Sequence, residues 1–360
     1  MRIIILILDI SATGGTERAV SNLANMLASA DHSVSIISIC TSFAVKPYFD
    51  LAPNVTVNHL GLSQIPSSVV AKIQWFYHLY HSINRLNIDN KPTVFIGTGH
   101  NINILIPLFK SKNVRSVACE HIQLDSIPLL SIFLMKIMYT RLDLLVVLSK
   151  SAKQKMLHSI HLKNIKIIPN TLPFIPQSSS SLLNNRIIMV GRLSSEKGYD
   201  RVLGIASFLK NKYPEWSIDI FGNGPLGDYL HELFYIENGL YNIHLRNSVK
   251  NIQDEYLNSS IFIMTSLSEA MPMVLLEAKS CGLPVVAYEC EGVNMLVENE
   301  VDGFVIESGN LKEFNSKLEL LINDFQLRKK MSTNCIVNSR EYVPSKIFES
   351  WDNELKKLFI

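Results

Sequence analysis

Short runs of β-branched and aliphatic residues punctuate this chain, and between them apolar positions recur every three to four residues. The runs at residues 3–8, 35–40, 93–96, 115–119, 144–148 and 165–168 predict buried strands. Segments 17–30, 69–86, 103–109, 129–141 and 151–158 carry the helical period and predict the connections. The alternation then breaks. Pro169, Pro173, Pro176 and the serine run at 178–181 predict a linker rather than a packed element. Beyond it, strands are predicted at 187–190, 217–221, 243–245, 261–264 and 284–287. Helices are predicted at 199–212, 226–238, 252–258, 274–281, 311–322 and 325–338. A last amphipathic helix at 345–358 carries Ile347, Trp351, Leu355 and Leu358 at helical spacing. Strands alternating with helices build mostly parallel sheets. The pattern therefore predicts an α/β fold of two tandem doubly wound Rossmann-like domains facing a cleft, residues 1–172 and 173–344. Ligands in such sheets gather at the carboxyl ends of the strands.

Length agrees with two domains, because single cores stop growing near ~250–300 residues. Hydrophobic residues make up 47% of the 360 and charged ones 18%, which excludes a disordered or fibrous chain. Five cysteines without a C-x-x-C pair argue against a disulfide scaffold or a structural zinc and fit a reducing cytosol. The apolar runs are shorter than the ~20 residues of a membrane span, so nothing is expected to cross a bilayer. The first run ends at Asp9 with no small-residue cleavage site behind it, so no secretory leader is expected.

Charge changes the picture more than composition does. Residues 1–175 carry 16 Lys+Arg against 8 Asp+Glu, and the remainder 18 against 24. Ten of those basic residues lie within 110–166, with only three acidic ones. Such a segment suits an anionic membrane surface, and a solvated face with no partner reads equally well. Nucleic acid is not expected, since no aromatic platform or zinc-finger spacing accompanies the charge.

Several predicted strand ends carry candidate chemistry. Asp9–Thr16 reads DISATGGT: Gly14-Gly15 lets backbone approach a ligand at a helix N-terminus, with Thr16 or Ser11 as cap. It is neither G-x-G-x-x-G nor a Walker loop, and a plain turn is an equal reading. Arg192 and Lys197 lie between a strand end and a helix start, where two cations can hold a diphosphate without metal. No D-x-D pair occurs that would hold a nucleotide-bound Mg²⁺. Gly222 and Gly224 form a tight turn that either admits a flat ring or is purely structural. Glu269 and Glu277, eight residues apart in SLSEAMPMVLLEAKSCGLPVVA, can each accept hydroxyl hydrogen bonds from a sugar or ribose. Glu120-His121 sits at a predicted strand's carboxyl end; a lone His is more often structural than catalytic, but position points His121 to the cleft, with His100 after Gly97-Thr98-Gly99 second to it.

In this order the pieces resemble the retaining GT-B glycosyltransferases of glycosyltransferase family 4. The likeness runs over nearly the whole chain and is tightest from Ile187 to Gly303. Its most specific element is E-x7-E, here Glu269–Glu277, with Cys281-Gly282-Leu283-Pro284-Val285 behind it. The wording MVLLEAKSCGLPVVAYEC, with CEH in the first domain, is closest to the bacterial exopolysaccharide, O-antigen and lipid-linked-oligosaccharide branch. The resemblance implies that Glu277 holds the donor ribose and that Glu269 touches the transferring sugar. Arg192 and Lys197 would bind pyrophosphate, and Gly14, Gly15, Gly222, Gly224, Met271, Pro272 and Met273 would line the donor. His121 would act beside the donor sugar, with His100 and Glu120 on the acceptor side and Asn170 at the interdomain crossing. Residues 345–360 would cross back to the first domain. Ala270 stands where the family commonly has Gly, which matters if that position needs a positive φ. Glu291-Gly292-Val293 replaces the family's usual Pro-Thr-Gly-Pro after Cys290.

The implied activity is transfer of a hexose or N-acetylhexosamine from a nucleoside-diphosphate sugar, UDP by the branch's habit, with no cofactor and no metal. The implied acceptor is a glycan, polyprenyl-diphosphate-linked or on a lipid A-core. The basic first domain would then sit on the anionic inner leaflet, making the protein cytoplasmic and peripheral to the membrane. Rival readings are a sugar-nucleotide epimerase and a non-catalytic sugar-nucleotide-binding module of the same fold. A dinucleotide-dependent oxidoreductase lacks its G-x-G-x-x-G.

Overall fold

In the computed structural model, residues 1–42, 45–85, 91–121, 127–160, 162 and 164–360 are described. The chain divides into two compact units, Met1–Thr171 with Pro344–Ile360, and Leu172–Val343. The first holds strands β1 (Arg2–Ile7), β2 (Ser33–Ser38), β3 (Thr56–His59), β4 (Thr93–Thr98), β5 (Val114–Glu120), β6 (Leu144–Val147) and β7 (Ile165–Ile167). They form one parallel sheet in the order β3-β2-β1-β4-β5-β6-β7. Its helices are α1 (Gly15–Ala28), α2 (Val69–Asn84), α3 (His100–Asn103), α4 (Leu129–Met138) and α5 (Lys150–Ser159).

The second unit holds β8 (Arg186–Val190), β9 (Ser217–Phe221), β10 (Ile243–Arg246), β11 (Ile261–Met264), β12 (Val285–Tyr288) and β13 (Gly303–Ile306), again all parallel, in the order β10-β9-β8-β11-β12-β13. Its helices are α6 (Val202–Lys212), α7 (Gly227–His231), α8 (Ile252–Leu257), α9 (Met273–Ser280), α10 (Glu291–Leu296), α11 (Leu311–Asn323) and α12 (Phe325–Ser339). The last helix, α13 (Pro344–Lys357), belongs to the first unit: Ile347, Trp351 and Leu355 pack with Val20, Leu23 and Leu27 of α1.

Alternate residues of each strand feed opposite layers, as a two-sided parallel sheet requires. In the first unit Ile3, Ile5, Ile7, Val117 and Val146 face α1 and α13. Ile4, Leu6 and Phe95 pack with α2, and Ala118, Leu145 and Val147 pack with α4 and α5. The register Ile4↔Phe95↔Ser116 and Ala118↔Leu145 puts α2, α4 and α5 on one face of the sheet.

Four expectations are corrected. Strands β3 and β13 and helix α10 were not predicted; each is short, and β3 carries polar Thr56, Asn58 and His59. The helix predicted at 103–109 is instead α3 followed by a 3₁₀ turn at Ile106–Phe109, with Pro107 breaking the hydrogen-bond ladder. The predicted linker packs: the Ser180 hydroxyl donates to the Ser259 carbonyl, Ser180 N–H to the Cys281 carbonyl, and Leu182 is buried. Neither Thr16 nor Ser11 caps α1. Its cap is Gly14 with no side-chain bond, and Ser11 donates to Asp9 at 2.8 and 2.5 Å. Position 86, expected in a helix, lies outside the described residues.

Candidate functional site

In each unit the strand order reverses direction between two central neighbours, β1 and β4 or β8 and β11, and the candidate residues sit at the carboxyl ends there. That is where loops diverge and a doubly wound sheet leaves room for a ligand.

In the second unit β8 runs into 191–198 and β11 into 265–272. Gly198 takes φ 60°, and a Cβ on it would fall 2.5 Å from the Thr265 carbonyl. The Thr265 hydroxyl donates to the Lys197 carbonyl at 3.0 Å and Leu267 N–H to the Glu196 carbonyl at 2.8 Å, so the two loops are tied together. This brings the Lys197 ammonium onto Glu269 Oε1, which also accepts from the Ser266 hydroxyl at 3.0 Å. Both partners are largely buried, 20% and 14% exposed, which strengthens the attraction above that of a surface pair. Arg192, five residues before Lys197, is exposed.

The 269–272 loop is held from behind. Gly292 N–H donates to the Glu269 carbonyl at 2.9 Å, and a Cβ on Gly292 would fall 2.5 Å from Pro272 Cδ. Pro272 caps α9 and is buried together with Met271 and Met273. Ala270 has no positive φ, so the loss of the family's glycine leaves the loop unstrained. Glu277 lies inside α9, 1% exposed, with its Oε2 accepting from the Tyr256 hydroxyl at 3.1 Å. Gly222 and Gly224 have a steric reason for being glycine: a Cβ on them would fall 1.9 Å from the Gly191 carbonyl oxygen and 2.4 Å from that of Leu193. Their immediate role is the close packing of the β8 and β9 loops.

In the first unit three neighbouring strand ends converge. β1 leads to Gly14-Gly15, where a Cβ on Gly15 would meet nothing within 4 Å. The α1 cap makes no side-chain bond, and the Glu17 carboxylate lies at this helix start, its Oε2 2.3 Å from where a Cβ on Gly14 would fall. β4 leads through Gly99, at φ 100°, to His100. β5 ends in Glu120, followed by His121. Burial lowers the pKa of His121 to about 4, and burial with the charge of Lys72 does the same for His100, so both rings are neutral at pH 7. Neither Nδ1 has a hydrogen-bond partner among the described residues.

Glu120 is buried, and burial raises its pKa to about 7 against the opposing hydrogen bonds from Tyr139 and Asn103. Asn103 Nδ2 reaches its Oε1 at 2.7 Å, and Tyr139 donates to the same oxygen. Beside His121 a mostly apolar cavity is lined by Leu23, Cys119, Ile168, Asn170 and Trp351.

Sequence reasoning missed Ser266, Gly292, Tyr256, Asn103 and Tyr139. Ser266 had a local signal, three residues before Glu269. Tyr256 and Tyr139 lie 21 and 19 residues from the carboxylates they serve and had none. Among the described residues no group of three or more His, Cys, Asp or Glu is placed to hold a metal ion.

Residues 174–336 match the glycosyl transferases group 1 and residues 13–173 match Glycosyltransferase Family 4. A glycosyltransferase of Haemophilus influenzae is 30% identical over 96% of this chain and 97% of its own. The chain belongs to glycosyltransferase family 4. A second relative of this glycosyltransferase, 26% identical over 94% of each chain, is a Campylobacter jejuni alpha-1,4-N-acetyl-D-galactosaminyltransferase named for a diNAcBac-PP-undecaprenol-linked saccharide. The pneumococcal O-GlcNAc transferase GtfA, solved with UDP and GlcNAc, superposes with a TM-score of 0.83 at 15% identity over 99% of both chains. That likeness establishes the GT-B architecture of the glycosyltransferase. No helix among its described residues is long and apolar enough to cross a membrane.

Proposed function

We propose that this glycosyltransferase moves a hexose or N-acetylhexosamine from a UDP-sugar to a hydroxyl of a lipid-linked glycan in bacterial surface polysaccharide synthesis. In this reading it retains the anomeric configuration, uses no resident metal and works at the inner face of the cytoplasmic membrane. The observation that carries it is the Lys197–Glu269 pair at the β8/β11 strand ends, with Arg192 exposed beside it. Lys197 and Arg192 take the diphosphate, and Glu269 both orients Lys197 and accepts from a sugar hydroxyl. Glu277, reached by Tyr256, accepts from the ribose hydroxyls.

The bond between the anomeric carbon and the phosphate oxygen breaks, and the acceptor oxygen bonds to the same face of that carbon. The acceptor proton passes to the departing phosphate, whose growing charge Lys197, Arg192 and the start of α9 stabilise. Neutral His121 donates or accepts one hydrogen bond at the sugar without introducing a competing charge. UDP is supported by the complex of GtfA, and a lipid-linked acceptor by the name of the Campylobacter relative. Retention rests on the family resemblance.

A thermal-shift screen against UDP, GDP, ADP and their sugars tests this reading. Stabilisation by UDP and its sugars is expected, lost in Glu277→Gln, which keeps the side chain's shape. Stabilisation by none of the nucleotides in the wild type would remove the donor site and every role assigned around it.

A further inference from the structure

The two faces of the first unit's sheet differ in charge. The helices on one face, α2, α4 and α5, carry five lysines (Lys72, Lys136, Lys150, Lys153 and Lys155) and no Asp or Glu. Helices α1 and α13 on the other face mix both signs, Glu17, Glu349, Asp352 and Glu354 with Arg18, Lys346, Lys356 and Lys357. These three helices also expose apolar surface in an ordered way. On α4, Leu129, Leu130, Phe133 and Ile137 are 47–84% exposed, and on α2, Val69, Val70, Ile73 and Tyr77 are 59–69% exposed. Both sets have the spacing i, i+1, i+4, i+8, which is one stripe of a helix. Each stripe lies opposite the side its helix buries, Met135 on α4 and Trp75, Leu79 and Ile83 on α2.

We infer that this face is a membrane-docking surface: the outward stripes of α2 and α4 enter the headgroup–acyl boundary of an anionic bilayer, and the lysines meet its phosphates. Three features fit a bilayer. Apolar stripes on helices whose Asp, Glu, Lys and Arg residues are all lysine match apolar acyl chains beneath anionic headgroups. Lysine stems can lie along apolar surface while the ammonium stays at headgroup level. Tyr77 has the amphipathic ring favoured at that depth.

The geometry also places the surface usefully. A helix that returns the chain to the next parallel strand starts at the carboxyl end of the sheet. Leu129 and Leu130 therefore lie at the same edge as His121, and Val69 and Val70 at the start of α2 do so too. A glycan on a membrane lipid would be presented at the edge where the acceptor-side residues are. The inference rests on the proposed function for this last step alone, since docking needs no substrate.

Cosedimentation with vesicles of phosphatidylcholine containing phosphatidylglycerol, against pure phosphatidylcholine, tests it. The wild type should partition to the anionic vesicles at least tenfold better. Leu129→Asp/Phe133→Asp should lose at least tenfold of that partitioning while keeping its melting temperature and its UDP-induced shift. Lys136→Glu/Lys150→Glu/Lys153→Glu should lose the preference for anionic lipid. No binding by the wild type, or unchanged binding by Leu129→Asp/Phe133→Asp, overturns the surface. So does a wild-type dimer in light scattering that this variant dissociates, which would make the stripes a self-association face. Vesicle binding without any UDP shift would instead leave the surface standing and remove the donor reading.

Discussion

The two units build their sites on the same plan and fill them with opposite electrostatics. At the β8/β11 strand ends, Lys197 and Glu269 meet as ions with Arg192 close in sequence. At the β4/β5 strand ends, burial holds His100 and His121 neutral and lifts Glu120 to about 7. One topology thus delivers one candidate site built on an ion pair and another whose histidines are neutral and whose carboxyl resists ionisation. What differs is whether the loops bring a counter-ion to each titratable group. The β8 and β11 loops are tied to each other by Thr265 and Gly198, which carries an opposite charge to Lys197. Glu120 is served by Asn103 and Tyr139, neutral donors that satisfy one oxygen without making the charge cheap in a buried place.

Five substitutions or treatments break or sharpen that contrast. His121→Ala should show the largest effect, lowering kcat by about 10²–10³-fold, the usual range for one lost transition-state hydrogen bond, while the UDP-induced thermal shift stays. Full turnover in the variant would return His121 to a purely structural role.

Glu120→Gln should change the pH dependence of stability. The folded protein binds the Glu120 proton more tightly than the unfolded chain, whose carboxyl titrates near 4.5. This group therefore costs nothing below pH 4.5, removes stability as the pH rises towards 7, and has a constant effect above it. The amide has no such titration. Melting temperatures between pH 5 and 8.5 should show the variant gaining on the wild type by up to about 3 kcal/mol, with the gap closing in acid. A gap independent of pH would mean that Glu120 titrates at an ordinary value.

Lys197→Ala should weaken UDP binding by about 1.5–3 kcal/mol in calorimetry, the range for a hydrogen bond to a charged group. Glu269→Ala leaves Lys197 without its carboxylate and should weaken binding of the sugar nucleotide more than that of UDP. Equal losses for both ligands would place Glu269 away from the sugar. EDTA should produce the smallest effect, none at all on turnover, and lost activity restored by a divalent ion would reveal a metal requirement.

Much of this was legible in the residue pattern. The short apolar runs located eleven of the thirteen strands among the described residues, because a strand buried on both faces must be continuously apolar. The strands that escaped, β3 and β13, are edges of four residues each; β3 carries polar Thr56, Asn58 and His59, whereas β13 reads GFVI and nothing in its composition sets it apart from strands that were located. Local motifs marked Gly14, Gly15, Arg192, Lys197, Glu269 and Glu277, since strand-end loops carry their chemistry within a few consecutive residues. Ala270 shows the limit: only the backbone could show that its φ is not positive.

By itself, then, the sequence determined the alternation of elements, the two parallel sheets and the loops that hold the candidate residues, because periodicity and turn chemistry are local. Tertiary structure decided what those residues are electrically. Lys197 finds Glu269 across 72 residues, and Glu120 finds Asn103 and Tyr139 across 17 and 19. It also decided which side of α4 faces outward, since a helix reading LLSIFLMKIM is apolar all round until a sheet takes one side. Charge state and exposure depend on neighbours distant in the chain, which only the folded packing supplies.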